Sequence, residues 1–131
     1  MSRDSIPPLV SRPLQITAEA LPLAETVWEV CCLGTDPIVS TPPMTLDFTA
    51  TTVSGSTGCN GFSGPLTQDG ATLRLGPLAA GRRVCTREAY DLERRFLDLL
   101  ARVEQAEIVD DGTTLVLRDG AGIALITAVR P

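Results

Sequence analysis

Along most of the chain, apolar residues recur at every second position, the period of a β-strand with one face buried. The first such run starts near Glu25: Trp28, Val30 and Cys32 share one face, and Val27, Glu29 and Cys31 share the other. This alternation predicts that Cys32 joins the core and that Cys31 is the more exposed of the two. Met44, Leu46 and Phe48 repeat the pattern, with Asp47 and Thr49 outward. Further strands are predicted at Thr51–Ser54, Gly61–Leu66 and Ala71–Leu75, and Gln68-Asp69-Gly70 supplies the turn between the last two.

One segment changes period. Ala89, Leu92, Phe96, Leu99, Leu100 and Val103 recur at three and four, which predicts an amphipathic helix over roughly residues 87–103. Thr86 is its expected N-cap. Asp91 with Arg95 and Asp98 with Arg102 are its expected outer i,i+4 pairs. After the helix the alternation returns at Ala106 and Ile108, at Leu115 and Leu117, and at Ile123, Leu125 and Val129. Turns at Asp110-Asp111-Gly112 and Asp119-Gly120 punctuate it. Before Glu25 the chain is Pro-rich and aperiodic, with Leu14 and Ile16 enough for one short strand at best. The expected organisation is a Pro-rich N-terminal arm over residues 1–24 and one domain over 25–131. The expected class is α+β: a curled antiparallel β-sheet, or partly open barrel, packed on a single α-helix that covers its apolar face.

A length of 131 residues suits one core, and 44% apolar against 21% charged residues is a globular balance. The formal net charge is -5, His is absent, and every positive charge is an arginine. An acidic chain without a basic run is not expected to bind nucleic acid. No apolar stretch reaches the roughly 20 residues that span a bilayer, so no transmembrane segment is expected. Asp4, Pro7, Pro8 and Pro13 interrupt any signal-peptide core. Two locations follow: the cytoplasm, or the periplasm and cell envelope if a leader has been removed.

The missing residue types exclude several chemistries. Without His there is no Ser-His-Asp or Cys-His pair and no imidazole metal ligand. Without Lys there is no Schiff-base chemistry and no phosphate loop ending in Gly-Lys-Ser/Thr. A glycosidase-like carboxylate pair stays formally open, but most Asp and Glu fall in turns or on the outer helix face, where solvated surface is the plainer reading. Cys31 and Cys32 are adjacent while Cys59 and Cys85 lie far apart, which is not the spacing of a zinc knuckle. No catalytic residue, metal or cofactor is therefore expected.

The stretch from Val53 to Gly64, Val-Ser-Gly-Ser-Thr-Gly-Cys-Asn-Gly-Phe-Ser-Gly, resembles the hallmark of the META domain family, which includes the heat-shock protein HslJ. The resemblance continues in order through Trp28, Met44-Thr45-Leu46-Asp47-Phe48, Leu73-Arg74-Leu75-Gly76-Pro77-Leu78, and Cys85 just before the helix. It closes with Glu93, Phe96 and Leu97 and with Leu115-Val116-Leu117, so it spans roughly Glu25 to Val129. The motif positions it singles out are Gly58, Cys59, Asn60, Phe62, Gly64, Arg82 and Cys85. One position departs: the family usually has a Thr-Arg pair before the second Cys, and here Gly81 precedes Arg82.

The resemblance implies a curled antiparallel sheet on one helix and a link to heat shock, the stress response or the cell envelope, with no established enzymatic activity. It also implies a disulfide between Cys59 and Cys85, worth about 3.5 kcal/mol by chain entropy. The alternative is that all four cysteines stay reduced as small buried apolar residues. The expected function is a non-catalytic binding or stabilising domain acting through an unknown protein or an apolar ligand. Two other classes stay open. One is an enzyme of thiol or disulfide chemistry at Cys59 or Cys85, with Arg82 and Arg83 lowering a thiol pKa. The other is a carrier of a lipid-like ligand in a cavity lined by Phe62, Phe96 and Leu100. The glycine-rich stretch itself admits an anion-binding nest of amides, or a tight bend in which Asn60 takes a left-handed backbone.

Overall fold

The computed structural model describes residues 23–131, and the strand expected around Leu14 and Ile16 lies outside them. The first strands are β1 (Thr26–Leu33), β2 (Asp36–Pro37), β3 (Thr45–Phe48), β4 (Thr52–Ser56) and β5 (Gly61–Asp69). Then come β6 (Thr72–Leu75), β7 (Ala79–Ala80) and the helix α1 (Arg87–Leu100). The chain ends in β8 (Gln105–Val109), β9 (Thr114–Arg118) and β10 (Ala124–Val129). The class is α+β, as the change of period along the sequence predicts.

Among the described residues every strand pairing is antiparallel, in the order β1–β3–β4–β5–β6–β8–β9–β10, and β10 pairs back on β1. The sheet thus closes into a ring, which leaves few edges open to other chains. The short strands β2 and β7 are added on β1 and β5. The ring is not a regular barrel. β6 and β8 share one registered pair, Thr72 with Gln105. Beside it run bonds from Leu73 N to Glu104 O at 3.0 Å and from Ala106 N to Ala71 O at 2.9 Å.

Two irregularities decide which side chains point inward. Between Val30 and Cys32 the register against β10 shifts, so Cys31 is an extra residue in β1. Trp28 and Val30 are buried as the alternation predicts, but past the bulge the phase reverses and Leu33 enters the core. Cys31 and Cys32 are both half-buried, which corrects the expectation that Cys32 packs inside. A second shift, between Ala124 and Ile126 of β10, buries Leu125 together with Ile126 and Ala128. It leaves Ile123 61% exposed and Val129 37% exposed, although a strict period of two places both in the core.

The helix starts where Thr86 accepts a hydrogen bond from Ala89 N at 3.1 Å. Its apolar stripe buries Phe96, Leu99 and Leu100. Because strands alternate in direction, the β1–β2, β4–β5 and β9–β10 connections lie at one end of the ring, and α1 covers that end. Phe96 meets Phe62 edge to face, ring centroids 5.6 Å apart. Arg95 donates to Leu33 O at 3.1 Å and pairs with Asp36 at 2.8 Å, tying the helix to the β1–β2 turn. Asp91, the expected partner of Arg95, meets Arg87 instead at 3.4 Å. At the far end Trp28 is fully buried, its Nε1 donates to Thr26 Oγ1 at 2.8 Å, and the Arg130 guanidinium lies 4.5 Å over its ring. No helix among the described residues is long and apolar enough to cross a membrane.

Helix capping and the β10 bulge together predict a sharp contrast between two apolar residues. Phe96→Ala should lower the unfolding free energy by about 3–5 kcal/mol. Ile123→Ser should change it by less than about 0.5 kcal/mol. Urea unfolding of both variants measures the difference, and comparable losses would contradict the bulged register.

Candidate functional site

The β4–β5 connection, Thr57-Gly58-Cys59-Asn60, lies under the helix. Thr57 N donates to Asn60 O at 2.8 Å, which closes the turn. The Thr57 hydroxyl accepts from Cys59 N at 3.2 Å and Asn60 N at 2.9 Å, while Gly58 N donates to Ser56 Oγ at 3.0 Å. The amides that an anion nest would present are therefore taken up by hydroxyls of the same turn. The left-handed residue is Gly58, at φ 92, and not Asn60. A Cβ at Gly58 would also overlap Ser40 Oγ. The tight-bend reading holds with the glycine, rather than Asn60, supplying the unusual backbone.

Above this turn sits Glu93, which is 7% exposed and faces inward from α1. Its Oε1 accepts from Thr57 Oγ1 at 2.6 Å and from Asn60 Nδ2 at 3.0 Å. Neutral donors on a buried carboxylate offset part of its lost hydration, without which burial would be prohibitive. Asn60, also buried, joins three segments. Besides Glu93, its Nδ2 reaches Cys59 Sγ at 3.3 Å, and its Oδ1 accepts from Arg83 N at 2.7 Å. Gly81 lies against the same carboxamide: a Cβ there would stand 3.0 Å from Asn60 Oδ1.

The irregular segment 81–86 before the helix is held at several points. Gly81 N donates to Gly61 O at 3.0 Å, and Cys85 is disulfide-bonded to Cys59 across a separation of 26 residues, Cα atoms 6.1 Å apart. Between these anchors Arg82, Arg83 and Val84 are exposed, Val84 at 94%. With Tyr90, Arg87 and the floor of Asn60 and Glu93 they line a cleft of about 620 Å³. Of the motif positions, Gly58, Cys59, Asn60, Arg82 and Cys85 thus converge at one place. Phe62 belongs to the core beside Phe96. Gly64 serves close packing, since a Cβ there would stand 2.6 Å from Leu78 Cδ2.

Two members of the site, Thr57 and Glu93, were not among the residues expected to form it. The signal for Glu93 is its phase: residues 93, 96, 100 and 103 fall on one helical stripe, so a carboxylate stands where the pattern demands an apolar residue. Thr57 lies within the hallmark stretch but has no anomaly of phase to mark it, because its role arises only when the helix arrives. Phe96 and Leu100 are fully buried and Phe62 is 5% exposed, so the space between sheet and helix is packed side chain. This counts against a lipid carrier with those three residues as cavity walls. Among the described residues no group of three or more His, Cys, Asp or Glu could hold a metal ion.

Cys31 lies outside the site. Burial first, then the hydrogen bond and charge of Cys32, push its pKa up to about 11. Alkylation of Cys31 by iodoacetamide should therefore stay slow at neutral pH and accelerate only as pH approaches that value, measured by peptide mass mapping. Thr57→Val should remove the acceptor of two buried amides and a donor to Glu93, lowering stability by about 2–4 kcal/mol, with Thr57→Ser restoring most of it. Urea unfolding checks the pair.

The fold recurs among solved structures. An NMR structure of a protein from Burkholderia xenovorans is similar at TM-score 0.68 and 21% identity, over 95% of this chain and 94% of that one. A second NMR structure matches at TM-score 0.61 and 22% identity, over 88% and 96%. A crystal structure of a DUF4847 family protein from Bacteroides vulgatus matches at TM-score 0.60 and 15% identity, over 83% and 94%. At these identities the likeness is one of fold. No curated protein matches the chain. The META domain model matches residues 21–130, the whole ring, its helix and the stapled segment, and the chain belongs to the META domain family.

Proposed function

We propose that the protein is a non-catalytic binding domain of the cell envelope or stress response, and that its docking surface is the stapled segment 81–86 with the adjoining face of α1. One observation carries this reading: a segment without regular structure is exposed yet anchored at Gly81, Arg83 and Cys85. An exposed loop held in one conformation loses little entropy on binding, which is what recognition surfaces need. Val84 and Tyr90 offer apolar contact, and Arg82 and Arg83 offer charge-assisted hydrogen bonds. The paired Cys59 and Cys85 also support an oxidising compartment, where such bonds persist.

Disulfide chemistry is the rival reading, favoured by half-exposed Cys85 next to Arg82 and Arg83. Against it, Cys59 is 6% exposed and enclosed by Asn60 and the β4–β5 turn. That enclosure bars attack at the Cys59 sulfur and leaves Cys85 as the one sulfur of the pair open to a thiolate.

Protein prepared without reductant should resist alkylation at Cys59 and Cys85 until reduced, as read by intact mass. It should also show no turnover with insulin or a small disulfide substrate. Turnover that disappears in Cys85→Ser would overturn the binding reading in favour of the enzyme. The double variant Cys59→Ser/Cys85→Ser should lose about 3.5 kcal/mol of stability by chain entropy, measured by urea unfolding.

A further inference from the structure

The cleft beside the stapled segment has a floor and a rim of opposite charge. The floor is Glu93, whose Oε1 is engaged by Thr57 and Asn60. Its Oε2 has no hydrogen-bond or ion-pair partner among the described residues. A buried carboxylate with one oxygen unengaged gains strongly from a donor that reaches it. The rim carries Arg82 and Arg83, both exposed and neither in an ion pair among the described residues. The third rim arginine, Arg87, is engaged by Asp91 at 3.4 Å.

This arrangement discriminates among ligands by charge. A simple cation drawn to Glu93 meets the repulsion of the guanidinium groups on its way in. A simple anion held by the arginines leaves Glu93 as it was. A molecule with both an ammonium and a carboxylate satisfies both ends. Val84, 94% exposed, and Tyr90, 47% exposed, add an apolar wall for a side chain. The volume of about 620 Å³ lies within the range of small-molecule sites.

We propose that the cleft binds a small zwitterion with an apolar side chain, an α-amino acid or a compound of like chemistry. The ammonium donates to Glu93, the carboxylate accepts from Arg82 and Arg83, and the side chain lies on Val84 and Tyr90. This rests on the binding-domain reading and specifies its ligand.

The test is an NMR titration of the isotope-labelled, oxidised full chain with L-phenylalanine, phenethylamine and hydrocinnamate in parallel. The amino acid should give saturable shifts confined to amides of residues 57–60 and 81–93. Each fragment should bind at least about tenfold more weakly, the loss expected for one charge-assisted contact. Glu93→Gln keeps an acceptor for Thr57 and Asn60 but removes the charge. It should weaken phenylalanine about tenfold and leave hydrocinnamate unchanged. Arg82→Gln/Arg83→Gln, on the exposed rim, should weaken phenylalanine and hydrocinnamate but not phenethylamine, and it serves should Glu93→Gln fail to fold. No saturable shift in these segments at on the order of 10 mM of any probe, or charge-removing variants that titrate like the parent, would overturn the proposal. Either result leaves the non-catalytic reading standing, because that reading is tested separately by disulfide turnover.

Discussion

A carboxylate inside a small core is the constraint around which the capped end of this protein is organised. Glu93 occupies a position on the helix stripe that would otherwise hold a leucine, and its burial requires donors delivered by another part of the chain. The β4–β5 turn supplies them. Thr57 donates to Glu93 while accepting the next amides of its own turn, so one hydroxyl settles both the loop and the helix. Gly58 provides the backbone that brings Asn60 round, and Asn60 carries the linkage on to segment 81–86. Each residue type in Thr-Gly-Cys-Asn then has a separate physical reason to be there.

Ring closure makes that constraint possible. A sheet that closes on itself needs its open ends filled, and this chain fills them by different means. At one end the helix lays Phe96, Leu99 and Leu100 into the opening. At the other, Trp28 fills the space and Arg130 lies over it, its Nε bonded to Gly112 O at 2.7 Å. The bulges in β1 and β10 belong to the same geometry. Each inserts a residue near the helix end, and such insertions add local bend and twist to a strand. The second buries the consecutive residues Leu125 and Ile126 beneath the helix.

What could be read in the sequence divides along a physical line. Strand faces set by uninterrupted alternation, such as Met44, Leu46 and Phe48, were legible because burial has a fixed period there. So was the helix, with Thr86 as its N-cap. Residues past a bulge were not: Cys32, Ile123 and Val129 have the right spacing, but a single inserted residue reverses the face, and no local signal marks where a ladder slips. Arg95 went to Asp36 rather than Asp91 because the turn partner also presents the Leu33 carbonyl, so one guanidinium satisfies two acceptors. Around the cleft, Cys59, Asn60 and Cys85 were singled out through their motif, whereas Glu93, which the resemblance also includes, needed its phase to be weighed against its charge.

The site is assembled from segments 57–60, 81–86 and 87–93, a turn, an irregular stretch and the first half of a helix. The disulfide and the Asn60 carboxamide hold the middle segment from two sides, a covalent bond and a buried hydrogen bond acting on adjacent parts of one short stretch. Redundant anchoring of this kind is more than a turn needs in order to connect β7 to a helix. It makes sense if the orientation of Arg82, Val84 and Tyr90 around Glu93 has to be reproducible. Reproducible placement of charge and apolar surface is what the proposed recognition role requires, because a surface already ordered loses little entropy on binding.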